Sequence, residues 1–237
     1  MKLAISGTYS SGKTSTVIAL SYYTGVPRTV ARAIREIMPE AVPGKRLADV
    51  TPAEYVQLAV RRHSGRVAAE ARLGDTFISD GTSLQEWIYA AARVQFGMDP
   101  NSGRNTAVPR EELSGDMLFF EQVTGQLGQA FRQHVADTYD AVVHLVNDRP
   151  IADDGHRPMN EAFRRYCDDM LLSTVQELGI PLHEYRGSLE ERLVQISERF
   201  SFTPVMSTDE AITRMREDYA AIDTRLEHER ALAGTSR

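Results

Sequence analysis

The eight residues Gly7-Thr8-Tyr9-Ser10-Ser11-Gly12-Lys13-Thr14 constrain this chain more than any other stretch. They fit the phosphate-loop pattern GxxxxGK[ST] at every fixed position. Glycines at 7 and 12 let the backbone take conformations that a Cβ would block. The turned backbone points successive N–H groups inward, and the positive end of the following helix extends that anion cradle. The N–H groups of residues 8 to 15, those of Ser10, Ser11 and Ser15 among them, are therefore expected to hold phosphates. Lys13 is placed to reach the outer phosphates, and the Thr14 hydroxyl to bind Mg²⁺. Four fixed positions do recur by chance, so the context matters. Lys2 to Ser6 reads as a short buried strand, and Thr14 to Tyr23 as a helix closed by Gly25 and Pro27.

The rest of the chain repeats that alternation. Thr76 to Ser79, Ala141 to Val146 and Ile180 to Tyr185 read as further strands. Between them fall helical stretches: Ala31 to Met38, stopped by Pro39, then Thr51 to about Leu73, Leu84 to Phe96, Leu118 to Val135 and Glu161 to Leu178. Thr51-Pro52-Ala53-Glu54 and Ser188-Leu189-Glu190-Glu191 are capping boxes. Arg28 to Arg32 fits either a short strand or a helix start. Strands separated by helices of ten or more residues predict βαβ units and a parallel sheet. Gly97 to Gly115 is a long polar loop.

Candidate chemistry gathers at strand ends. Asp80 closes the second strand, where residues face the ligand crevice of a doubly wound sheet. It is a candidate Mg²⁺ ligand and a candidate acceptor for the proton of an attacking hydroxyl; as part of Asp-Gly it is equally ordinary turn chemistry. Asp153-Asp154-Gly155-His156-Arg157 follows the third strand, with Arg164 close behind. A mobile lid over residues 149–165 would bring Arg157 and Arg164 onto migrating phosphate oxygens; a solvated charge cluster is the plainer alternative. Arg28, Arg32 and Arg35 share one helical face. Of these, Arg32 is the candidate substrate contact, with Glu36 as a second-choice base. The six histidines show no ligand spacing, so a catalytic metal other than Mg²⁺ is not expected.

Charge and composition narrow the partners. Lys plus Arg is 27 against 33 Asp plus Glu, a net charge of −6. That balance argues against binding nucleic acid through overall charge but leaves room for a small anion at a local positive site. Cys167 is the single cysteine, so no internal disulfide forms. No apolar run is long enough to span a membrane, and the first residues reach Gly7 too soon for a signal-peptide core. A cytoplasmic protein is expected. At the far end Ser207 opens a last helix, in which Ile212, Met215, Tyr219, Ile222 and Leu226 are spaced 3, 4, 3 and 4. Such a seam is buried either against the chain's own body or against the same helix of a second copy, giving a homodimer.

The complete phosphate loop, Ala31-Arg32-Ala33-Ile34-Arg35-Glu36, Ser79-Asp80-Gly81-Thr82 and Asp154-Gly155-His156-Arg157 occur in an order that resembles one family. It is that of bacterial ribosylnicotinamide kinases and the AAA-labelled, NadR-like ATPases grouped with them. The resemblance covers roughly residues 1 to 200. Gly81 stands where that family has threonine. The resemblance implies a three-layer α/β P-loop NTPase fold with a central parallel sheet over residues 1–205, a lid, and an extra C-terminal helix over 206–237. It also implies that Gly187 lies near an adenine. With the loop chemistry, the expected activity is transfer of phosphate from ATP, with Mg²⁺, to a hydroxyl of a small, nucleoside-like molecule. A nucleotide-switched regulatory ATPase is the alternative.

Overall fold

The computed structural model describes residues 1–30, 32–101, 106–147 and 159–221, and of Arg35 the backbone alone. In chain order the elements are β1 (Lys2–Ser6), α1 (Lys13–Thr24), α2 (Ile34–Ala41), α3 (Pro52–Glu70), β2 (Phe77–Asp80), α4 (Ser83–Phe96), α5 (Gly115–Thr138), β3 (Ala141–Leu145), α6 (Glu161–Glu177), β4 (Leu182–Tyr185), α7 (Leu189–Phe200) and α8 (Thr208–Ala220). The four strands form one parallel sheet in the order β2-β1-β3-β4. This is the α/β arrangement that the strand–helix alternation predicts.

β1, β2 and β3 are largely buried on both faces because helices cover both, while the edge strand β4 is only partly buried. Alternation along each strand sorts side chains between two cores. Leu3, Ile5, Ile78, Val143 and Leu145 point to the side packed by α1, α7 and α8. Ala4, Phe77 and Val142 point to the opposite side, against Leu84 and Ile88 of α4, Val135 of α5 and Phe163, Cys167 and Leu171 of α6. A third cluster joins α2, α3, α4 and α5 around Met38, Tyr55, Leu58, Val94 and Phe120.

Several local signals are realised. Thr51 Oγ1 accepts from the Glu54 N–H while the Glu54 carboxylate accepts from the Thr51 N–H, closing the capping box of α3. Ser188 and Glu191 do the same for α7, and Ser207 caps α8 through the Glu210 N–H. Arg28 resolves as a single parallel bridge to Ile78. Several boundaries differ from expectation: α2 starts at Ile34, α5 runs three residues further at each end, and β4 starts at Leu182. Pro39 does not stop α2, which runs on to Ala41: its fixed φ is helical, and so near the helix end it costs only one backbone hydrogen bond. α3 ends at Glu70, three residues early, in a turn that leads to Gly74 with φ 74°.

α8 packs on the chain's own body. Ala211 and Met215 are buried against α1, and Tyr22 and Arg28 both hydrogen bond to Asp218 at 3.0 Å. The buried face therefore runs through Ala211 and Met215, and Tyr219 of the expected seam is exposed. Ile222 and Leu226 lie outside the described residues, as do Asp153, Asp154, His156 and Arg157 of the expected lid. Among the described residues no helix is long and apolar enough to cross a membrane.

Candidate active site

β1 delivers the chain into the phosphate loop at the centre of the sheet, where strand order reverses direction and a crevice opens beyond the strand ends. Gly7 has φ 136°, and a Cβ there would lie 2.7 Å from Ser11 Oγ and 2.8 Å from the Leu145 carbonyl. Only glycine fits. Ser10 sits in the left-handed region at φ 62°, and Gly12 at φ 82° opens α1 without a side-chain cap or an acidic residue in the first turn. The first N–H groups of that helix thus keep their full anion-binding character.

Side chains from distant elements hold the loop. Lys13 Nζ donates to the Thr8 carbonyl at 2.9 Å. Thr8 Oγ1 donates to Asp168 Oδ2 on α6 at 2.8 Å. The buried Arg192 of α7 donates from Nη1 to the Ser11 carbonyl at 2.8 Å, and that guanidinium would be 3.3 Å from a Cβ on Gly12. Burial raises the Asp168 carboxyl above its ordinary value, against the opposing pull of Thr8, Lys13 and Arg164. His144, at the end of β3, is pushed down to about 4 by burial and by the Lys13 charge.

Asp80 and Thr14 meet. The Thr14 hydroxyl donates to Asp80 Oδ2 at 2.7 Å, although 66 residues separate them. Parallel pairing causes this: Ile5 is in register with Asp80, so the end of β2 stands beside the start of the loop. Two oxygen donors at this spacing suit a hard cation such as Mg²⁺. Among the described residues no group of three or more His, Cys, Asp or Glu side chains forms a metal cluster.

A cavity of about 220 Å³ adjoins these groups. Lys13, Thr14, Asp80 and Gly81 line one part, and Tyr9, Ile34, Leu47, Tyr55, Gln85, Glu86 and Tyr89 line the rest, with Arg62 and Arg66. Tyr9 and Tyr89 stack with ring centroids 4.7 Å apart. Arg66 is only 1% exposed and ties the Asp80 turn from behind, with Nη1 donating to the Asp80 carbonyl at 2.8 Å and the Gly81 carbonyl at 3.0 Å. Glu86 Oε1 balances that charge, 3.1 Å from Arg66 and 3.3 Å from Arg62. Glu70, behind it, is raised by burial but held below its ordinary value by His134, Tyr139 and Arg66.

The expected residues distribute unevenly. Gly7, Ser10, Ser11, Gly12, Lys13, Thr14 and Ser15 form the loop and helix start, with Asp80 beside them. Arg164, in the first turn of α6, pairs with Glu161 at 2.7 Å and acts on Asp168 electrostatically. Arg32 is half-exposed, pairs with Glu40 at 2.8 Å and lines a separate groove with Arg61 and Arg72. Glu36 accepts from the Ala33 N–H at 2.6 Å and so caps α2. Arg165 is exposed. Gly187, at φ 94°, precedes α7 beyond the end of β4. Asp168, Arg192, Arg66, Glu86 and Arg93 escape a motif search. A lone arginine inside Trp87-Ile88-Tyr89-Ala90-Ala91-Ala92-Arg93-Val94 was the one available signal, since a charge in an apolar helix must find partners.

The comparisons agree with this geometry. A family model described as an AAA domain matches residues 2–192. The chain belongs to that AAA-domain family. No curated protein matches it. Among solved structures, deoxyadenosine kinase from M. mycoides with bound dATP superposes with a TM-score of 0.60 at 14% identity, covering 85% of this chain and 100% of that one. The same kinase with bound dCTP gives 0.57 at 14% identity, covering 85% and 99%. At that identity the likeness establishes the fold, an α/β P-loop kinase fold.

Proposed function

We propose that this AAA-domain protein is an ATP-dependent phosphotransferase acting on a hydroxyl of a small, nucleoside-like molecule. The observation that carries this reading is the Thr14–Asp80 contact at 2.7 Å on the wall of a cavity that also holds Lys13. A phosphate donor and a small acceptor would meet there. The fold shared with a kinase whose structures hold dATP and dCTP supports the same reading.

In this reading the loop N–H groups and Lys13 hold the phosphates of ATP and take up charge that develops during transfer. Thr14 and Asp80 would hold Mg²⁺, which supplies charge neutralisation between the outer phosphates. Asp80 lines the cavity, and its Oδ1 accepts no hydrogen bond from the described residues, so it can receive the proton of the attacking hydroxyl. Arg164, with Arg157, would close on the phosphates, and Gly187 would lie near the adenine; Arg32 and Glu36, which do not line this cavity, have no part in holding the acceptor. The regulatory-ATPase alternative draws on Phe119, 67% exposed beside an apolar groove of about 470 Å³ with Val56 and Val123.

ADP release, screened across nucleosides, sugars, amino acids and nucleotides, separates the two. The kinase reading expects release that depends on one acceptor class and vanishes in Lys13→Ala, with the fold kept by circular dichroism. ADP release that is the same with and without every acceptor overturns it.

A further inference from the structure

Arg93 on α4 is 1% exposed, and among the described residues no carboxylate pairs with it. Its guanidinium lies over the Tyr55 ring at 4.4 Å and the Phe163 ring at 5.5 Å, and it also acts on Tyr9. Nη1 donates to the Tyr89 carbonyl at 2.9 Å and to the Tyr55 hydroxyl at 3.1 Å, while Nε has no partner. An arginine so placed can only donate. The Tyr55 oxygen therefore spends a lone pair on Arg93 and keeps its proton for another acceptor. None of the described residues accepts it, although Tyr55 is itself 1% exposed and lines the cavity beside Lys13 and Asp80. Burial pushes the Tyr55 phenol up to about 12, with Arg93 pulling it down, so the proton stays on at neutral pH.

We propose that Tyr55 selects the acceptor molecule: its O–H, polarised by Arg93, donates to a carbonyl oxygen or unprotonated ring nitrogen on that molecule. Arg93 is the positioning residue and does not touch the acceptor. The inference rests on the kinase reading for its site but not for its test. A buried donor left unpaired is costly, so a ligand that lacks the matching atom is rejected. A ligand with an amino group at that point is rejected for the same reason, two donors facing each other.

The test uses matched nucleosides, inosine against purine riboside and uridine against its 4-deoxy analogue, with the full chain. Dissociation constants come from calorimetry with an unreactive ATP analogue present, and kcat and KM from ADP release. Wild type is expected to favour the carbonyl-bearing member of at least one pair by about tenfold or more. Tyr55→Phe keeps the ring and its contact with Arg93, and is expected to bring that ratio to within about twofold by weakening the preferred ligand, read as a rise in its dissociation constant and KM. Arg93→Lys, which keeps the charge but not the planar fork, is expected to fall between. A ratio unchanged in Tyr55→Phe overturns the inference, as does a wild type that binds neither member of either pair. Selective binding without ADP release overturns the kinase reading and leaves the role of Tyr55 supported.

Discussion

Replacing Arg66 by methionine should unmask how the Asp80 turn is held. The substitution keeps an unbranched, largely apolar stem and removes every donor. Two carbonyls, the part-buried one of Asp80 and the buried one of Gly81, then lose hydrogen bonds of 2.8 and 3.0 Å. Leaving such groups unsatisfied costs about 1–3 kcal/mol each. Glu86 also loses one of its two arginines but keeps Arg62 at 3.3 Å, so the ion-pair loss falls below the ~3–5 kcal/mol of a fully broken buried pair. Methionine recovers part of this through apolar burial. We expect a net loss of about 4 kcal/mol, which at a urea slope near ~2 kcal/mol per M lowers the midpoint by about 2 M. The slope should stay the same, because the folded core is otherwise intact. A double-mutant cycle with Glu86→Gln locates the cause. Once the carboxylate is neutral, removing Arg66 should cost roughly 1–3 kcal/mol less. A loss below about 1 kcal/mol in Arg66→Met, or a cycle with no coupling, refutes the reasoning.

Further outcomes follow from the same contacts. Asp80→Asn should lower kcat by about 10²–10⁴ while ATP affinity, read by titration, changes far less; turnover within threefold of wild type reduces Asp80 to a turn residue. His144 has a folded pKa of about 4 against an ordinary 6.5, so the unfolded chain binds that proton first. Stability should therefore be intact above pH 6.5 and fall as pH drops towards 4, by roughly 3 kcal/mol from this group; His144→Asn should flatten that part of the urea-midpoint profile. Met215→Ala should cost about 2–3 kcal/mol by leaving a cavity between α8 and α1, measurable as a lower unfolding midpoint.

Much of this protein was legible before any coordinates. A phosphate loop needs glycine at fixed places, and strand–helix alternation needs its periodicities, so Gly7 to Thr14 and the parallel sheet follow from local rules. Capping boxes at Thr51 and Ser188 were equally local, since each is closed by a residue three positions on, and Ser207 caps α8 through the Glu210 N–H alone. Asp80 was identifiable because the end of a strand in such a sheet faces the crevice. What only tertiary structure decided were contacts across long separations. Register, not motif, put Thr14 beside Asp80. Packing of α6 and α7 under the loop brought Asp168 to Thr8 and Arg192 to Ser11, over 160 and 181 residues. It likewise turned Arg32 towards Glu40, out of the cavity, and set Arg93 among tyrosines. Local sequence carries the backbone's conformational needs, but a buried charge takes whichever partner the assembled layers bring within about 3 Å, because hydrogen-bond strength falls off within a fraction of an ångström beyond that distance.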